Sequence, residues 1–224
     1  MILLEKTQVF NFEGAIRGMR NPMNSWDKSD TPDDADVYIV GDSEIVIPII
    51  GENDLALMRN LIKAGSDHRK FMRQIFVSVD ITAPFYWWKE FDTYKVGTTA
   101  NSCSTMHKIH AKEFTIDDFS YEHLIDEDDE CCESYPVSIE FLKQLVDILN
   151  FYREKFNATK NKKYWWQMIQ LLGMAYNQKR TVTLNYENLL NMYRARRSHK
   201  LDEWRTLCQW IEELPYAKEL ICDE

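Results

Sequence analysis

Apolar side chains recur at every second position over residues 74–82, where Ile75, Val77, Val79 and Ile81 alternate with Phe76, Ser78 and Asp80. That is the period of a strand with one buried face. Ala83-Pro84 ends the run, and proline at a helix start suits an aromatic helix over Phe85–Lys95. Two β-branched runs, Asp36–Val40 and Glu44–Ile50, meet through Gly41-Asp42-Ser43 and predict a hairpin. Elsewhere the period lengthens to three and four. Gly14–Arg20 reads as a short helix with Arg17 and Arg20 on one face. Asn53 or Asp54 is a natural cap for a helix through Lys63, with Leu55, Met58, Leu61 and Ile62 on one side and Gly65 at its end. From Ser138 onward, segments 138–156, 162–177, 186–198 and 200–213 all show helical spacing. Thr181–Leu184 is a short β-like break among them, and Asn185 follows as an N-cap. Residues 24–35 and 96–106 are polar loops, the second (VGTTANSCSTM) suited to presenting backbone donors. The order predicts an α+β fold, with helices packed on one mixed sheet and a helical C-terminal half.

Composition narrows this picture. A chain of 224 residues can bury one sizeable core, so a single domain is expected. With 45% hydrophobic and 13% aromatic residues, it is not a disordered chain. A net charge of −9 disfavours a duplex-binding role, because phosphate neutralisation needs a basic face. No apolar run approaches the roughly 20 residues that span a bilayer, and Met1–Lys6 is charged too soon for a signal peptide. A cytoplasmic location is expected, without a membrane or nucleic-acid partner. The cysteines, Cys103, Cys131, Cys132, Cys208 and Cys222, are odd in number and lack CxxC spacing, as in a reducing compartment. The acidic run Asp126–Glu130 reads as a solvated loop, since the calcium-loop spacing is absent.

Walker, GxGxxG, HExxH and GxSxG motifs are all missing. Two segments carry the remaining candidate chemistry. In residues 83–107, dense aromatic rings precede hydroxyl and amide groups. Such a stretch suits a stacked heteroaromatic ligand, and an aromatic core helix with a capped loop is the alternative. In residues 183–205, four arginines and a lysine gather around His199, with Asn188 and Asn191 one turn apart. Arginine forks match phosphate oxygens, and a solvated helix with Arg–Glu pairs is the alternative. Cys103, His107 and His110 stand at helical spacing as conceivable metal ligands, with no fourth ligand in sight.

These two segments, in this order, resemble the flavin-dependent thymidylate synthases. In that family a strand ending in Ala-Pro leads into Arg-Gln-x-x-Arg-His-Arg and then x-x-Ser-x-Asn-Glu-x-Ser-x-Arg-Tyr. Here Val79–Pro84 leads into residues 88–107, where Thr99, Asn101 and Ser104 keep the hydroxyl–amide–hydroxyl pattern. Lys89-Glu90 stand near the Arg-Gln pair. The Arg-His-Arg triplet falls on Thr93-Tyr94-Lys95 or, with a one-residue gap, on Tyr94-Lys95-Val96. Ile16–Arg20 is similar to the family's Val-Arg-Ala-Ala-Arg helix. Leu61–Gly65 and Phe71–Arg73 resemble its Lys-x-Gly and Phe-Glu-His segments, with Arg73 in place of a flavin-side histidine. The late Thr-x-Asn-x-Arg-x-Leu-x-Asn-x-x-x-x-Arg stretch resembles Thr183–Asn191 and Arg196, with Glu187 in place of an arginine. The closing Gln-x-Glu-Ile-Arg is similar to Asp202–Arg205. The likeness covers most of residues 10–110 and 165–215, while residues 24–50 and the acidic loop depart from it.

The resemblance implies one domain over residues 1–224 with that family's fold, and a flavoprotein methyltransferase of nucleotide biosynthesis. FAD, reduced by NADPH, would reduce a methylene taken from methylenetetrahydrofolate and attached to C5 of dUMP or a related pyrimidine nucleotide. No cysteine nucleophile is required. Ser104 and Arg196 would bind the substrate. Arg73, Lys95, Asn185 and Asn191 would lie on the flavin side, in a homotetramer whose sites are shared between subunits. One lysine in place of two guanidinium forks motivates the alternative, a non-catalytic nucleotide-binding or oligomeric relative that has lost flavin chemistry. An unrelated helical α+β interaction protein is the third reading.

Overall fold

The computed structural model describes residues 2–126 and 137–223. In chain order its elements are β1 (Leu3–Phe10), α1 (Phe12–Arg20), β2 (Ala35–Val40), β3 (Ser43–Pro48), α2 (Glu52–Lys63), β4 (Phe76–Pro84) and α3 (Phe85–Phe91). There follow β5 (Thr99–Ser102), α4 (Thr105–Lys108), α5 (Ser138–Thr159), α6 (Lys162–Leu171), β6 (Asn177–Asn185), α7 (Tyr186–Arg196) and α8 (Asp202–Glu213). Four strands form a sheet in the order β1-β4-β6-β5, and β2 and β3 form an antiparallel hairpin with Val40 opposite Ser43. The class is the expected α+β. The chain divides into two compact units.

The larger unit comprises Ile2–Ile81, Phe91–Asn101 and Arg180–Glu224. On β4 the alternation works as expected, with Val77, Val79 and Ile81 buried and Phe76 exposed. Phe12 and Tyr186 meet edge-on at 5.5 Å in the core. The Tyr186 hydroxyl, taken out of water, donates to the Pro215 carbonyl at 2.7 Å, as buried phenols require. The polar centre of this unit is Asp54, whose side chain is 0% exposed and is paired with Arg20, 5% exposed. Asp54 Oδ1 accepts from Arg20 Nε at 2.6 Å, and Oδ2 accepts from the hydroxyls of Ser29 and Thr31 and the backbone of Asp30 and Thr31. Burial alone would raise its carboxyl pKa. The hydrogen bonds from Ser29, Thr31 and Arg20 outweigh burial and hold it below the ordinary carboxylate value.

The smaller unit holds Thr82–Glu90 and Ser102–Lys179. Its core gathers Ile109, Phe114, Phe119, Leu142, Leu149 and Met168, with α5 packed along α6. Phe85 and Tyr86 donate their backbone N–H groups to the carbonyls of Tyr176 and Met174, both at 3.1 Å. Trp88 Nε1 donates to the Gln178 carbonyl at 2.9 Å.

Several boundaries differ from those the sequence predicts, each for a tertiary reason. The helix expected over 162–177 stops at Leu171, since the carbonyls of Met174 and Tyr176 are drawn to Tyr86 and Phe85. Residues 177–185 form a nine-residue strand instead of a four-residue break. The aromatic helix ends at Phe91 rather than Lys95, where Asp92 turns to Arg180 at 2.7 Å. Strand β5 lies inside the expected loop 96–106. Strand β1 gave no alternation to find, because Lys6 sits at φ 54 and few of its side chains are buried. Neither Asn53 nor Asp54 caps α2. Its N-terminal amides go instead to Asp30 of the preceding loop, Asn53 N at 2.9 Å and Asp54 N at 3.1 Å. Gly51 is required there, since a Cβ would fall 2.5 Å from the Asp30 carbonyl carbon. Residues 127–130 of the acidic run and the Cys131-Cys132 pair lie outside the described residues. Among the described residues, no helix is long and apolar enough to cross a membrane.

Removing one partner of a buried pair leaves an uncompensated charge, so Asp54→Asn is expected to cost about 3–5 kcal/mol in urea unfolding at pH 7. Asp54 has a depressed folded pKa. Its contribution is therefore complete above the unfolded value of about 3.9 and is lost as pH falls towards the folded one. The gap between wild type and Asp54→Asn should close below about pH 4; a gap unchanged at acid pH would show that the charge of Asp54 contributes nothing.

Candidate functional site

Strand β6 delivers the chain to Asn185, which is extended at φ −127 and opens α7. The Asn185 side chain accepts from Asn188 N at 3.0 Å, and Asn188 Oδ1 accepts from Asn185 N at 3.2 Å. This reciprocal box satisfies amides that the helix cannot pair itself. Asn188 Nδ2 also donates to the Val96 carbonyl at 2.7 Å, which draws residues 94–97 onto the first turn of α7. Gly97 stands in that approach at φ +76, where a Cβ would lie 2.8 Å from Asn185 Nδ2.

Glu187, in the first turn of α7, is a carboxylate on the positive end of the helix. It collects two guanidinium groups. Arg69 Nε donates to Oε1 at 3.0 Å, while Arg73 donates to both oxygens, through Nε and through Nη2 at 3.2 Å. Arg73 Nη2 also donates to the Ser66 carbonyl, and Arg69 Nη2 reaches Asn191 Oδ1 at 3.5 Å. Burial would raise the Glu187 carboxyl pKa, and the bonds from Arg73 and Arg69 turn the shift downward.

At the other end of α7, the guanidinium of Arg196 lies 4.6 Å over the ring centre of buried Trp204. Its Nε donates to the Tyr94 hydroxyl at 2.9 Å. Phe91 stacks on Trp204 at 6.5 Å and Tyr94 meets it edge-on at 5.9 Å, so the arginine rests on an aromatic platform. His199 accepts from Leu201 N through Nδ1, and Arg205 donates to the carbonyls of His199 and Lys200.

Arg73 and Asn191 therefore belong to one network, through Glu187 and Arg69. Asn185 is buried in its cap, and Arg196 is joined to the segment that carries exposed Lys95. Asn188 and Asn191 do not act as a pair, because Asn188 serves the cap and the Val96 carbonyl. Ser104 belongs to the smaller unit, where its Oγ accepts from His107 N at 3.2 Å. It lines a cavity of about 350 Å³ with Lys108, Lys112 and Lys179. His110 packs edge-on against Phe156 at 4.9 Å, and no group of three His, Cys, Asp or Glu that could hold a metal occurs among the described residues. Sequence reasoning missed Arg69, which stands in no recognisable motif, and gave no site role to Tyr94 and Trp204, although both fall in segments that resemble the family's.

Two solved structures of the flavin-dependent thymidylate synthase ThyX from Helicobacter pylori, both with FAD and dUMP, align with this chain at a TM-score of 0.65. The alignments cover 100% and 99% of this chain and 98% of each of the others. The fold is that of ThyX. Sequence identity is 14% and 15%, so the likeness speaks for the fold alone. No protein-family model matches the chain, and no curated protein does. On this ThyX-like frame, residues 24–50 are the polar loop and the β2–β3 hairpin, the stretch that departs from the family's sequence pattern.

Loss of an asparagine N-cap costs about 1 kcal/mol, and that is the expected effect of Asn185→Ala in thermal unfolding. Gly97→Ala should cost more, because it combines a left-handed backbone with a clash against the same cap. Equal melting temperatures for Gly97→Ala and wild type would contradict the clamped turn.

Proposed function

We propose that this protein is a nucleotide-binding relative of the flavin-dependent thymidylate synthases, in which Arg196 takes the phosphate of a pyrimidine nucleotide and the flavin side has been given over to structure. The observation that carries this is the contrast between the two arginine positions. Arg196 is laid over Trp204 with its Nε held by Tyr94, so its guanidinium is oriented by aromatic groups. Arg73, which the resemblance would turn towards the flavin, holds Glu187 with two of its nitrogens.

The residues present fit FAD poorly. Arg73 faces a carboxylate, Asn185 is consumed by its cap and Asn191 accepts from Arg69. Lys95 offers a single ammonium where the family has planar forks. When bound, FAD would supply the hydride chemistry of thymidylate synthesis. Among the described residues, Arg73, Asn185 and Asn191 are committed within the chain, and no catalytic step is assigned.

A second reading, FAD-dependent methylation of dUMP with methylenetetrahydrofolate and NADPH in a homotetramer, is favoured by one observation. The likeness to ThyX extends over the whole chain rather than over one supersecondary motif.

Purified protein separates the two. The expected result is colourless protein that binds dUMP in calorimetry, with Arg196→Ala weakening binding at least tenfold, the ~1.4 kcal/mol of one charge-assisted contact. Yellow protein retaining flavin would support the second reading, and colourless protein without dUMP affinity would sink both.

A further inference from the structure

A cavity of about 770 Å³ opens between α1, the polar loop and the hairpin, entirely within the larger unit. That volume lies in the ordinary range of small-molecule sites, roughly 300–1,000 Å³. It is built by the 24–50 stretch that departs from the family pattern, and it uses none of the residues assigned to dUMP.

Its walls are fixed before any ligand arrives. Ser29 and Thr31, which line it, are tied to buried Asp54, and Trp26, which also lines it, donates Nε1 to Asn21 Oδ1 at 2.8 Å. The indole stays 51% exposed even though its polar atom is satisfied. An aromatic face held at a cavity wall in this way is a stacking platform.

Arg17 and Arg20, one turn apart on α1, both line the cavity. Arg20 spends Nε on Asp54 and Nη1 on the Ser25 carbonyl. Among the described residues nothing accepts from its Nη2, although the side chain is nine-tenths buried. That nitrogen is left to donate to an acceptor brought into the cavity. Arg17 is exposed and, among the described residues, has no ion-pair partner. Facing these donors are the carboxylates of Glu13, Asp33 and Asp34, all lining the same cavity.

Three carboxylates beside two guanidinium groups, one already neutralised by Asp54, make a poor home for a strongly anionic ligand. They suit a neutral ring whose edge carries acceptors on one side and N–H donors on the other. Guanine has this pattern, since O6 and N7 accept from an arginine fork while its ring N–H and exocyclic amine donate to carboxylates. Stacking on an aromatic side chain is the usual way an unpaired base is held.

We propose that this cavity is a second binding site, taking a planar heteroaromatic base of the guanine type, stacked on Trp26 and read by Arg17 and Arg20 against the acidic wall. The test is calorimetry on the full chain with guanosine as the probe. Guanosine is expected to bind at one site per chain and to resist displacement by excess dUMP. Trp26→Ala and Arg17→Ala, both at exposed positions where folding is not at risk, should each weaken it at least tenfold. Adenosine, which lacks the O6 acceptor, should bind at least tenfold more weakly than guanosine, and a 5′-phosphate on guanosine should bring no gain. Absence of guanosine binding, affinity equal in both variants and wild type, displacement by dUMP, or tighter binding of the phosphorylated form would each overturn the proposal. None of these outcomes depends on whether dUMP binds at Arg196.

Discussion

A single buried carboxylate organises the N-terminal part of the larger unit. Asp54 is taken wholly out of water, which is tolerable only because five donors surround it: one guanidinium N–H, two hydroxyls and two backbone amides. Those donors come from the last turn of α1 and from the loop 24–35, while Asp54 sits in the first turn of α2. The interaction is therefore more than an ion pair. It sets where the loop runs, and the loop returns the favour by supplying Asp30 to the N-terminal amides of α2. A polar, Pro-containing stretch that looks dispensable in sequence is thereby a fixed wall, and the cavity beside it is preformed.

The same physics, turned outward, shapes α7. Its first turn attracts negative charge, and Glu187 supplies it from within the chain. Once that carboxylate is present, Arg69 and Arg73 are attracted to it rather than to an external phosphate. At the opposite end Arg196 is supported by Tyr94 and Trp204, aromatic groups that orient its guanidinium. Two arginines that look equivalent in the sequence thus have different chemical prospects. The difference is the partner each meets.

The strongest periodic segments were readable directly. Strand β4, the β2–β3 hairpin and helices α2, α5, α7 and α8 follow from spacing, and Asn185 caps α7 as its residue type suggests. What could not be read were elements whose pattern is weak or whose ends depend on distant groups. Strand β1 hides its period behind Lys6 and a mostly exposed face, and α6 ends where carbonyls are claimed by Phe85 and Tyr86, distant in sequence. In the α7 region the sequence exposed the arginine-rich stretch and the asparagines. It could not reveal that Asn188 is spent on the Val96 carbonyl, or that Arg69 shares Glu187 with Arg73.

The sequence by itself determined the α+β class, the helical C-terminal half and the identity of the charged groups available, because local periodicity and residue chemistry travel with the chain. Only the tertiary structure decided which charges cancel. Pairings such as Arg20 with Asp54 or Arg73 with Glu187 join positions 34 and 114 residues apart, and no local pattern encodes them. The first exists because burial makes an unpaired charge too costly to leave alone; in the second an exposed arginine is drawn to a part-buried carboxylate at a helix N-terminus.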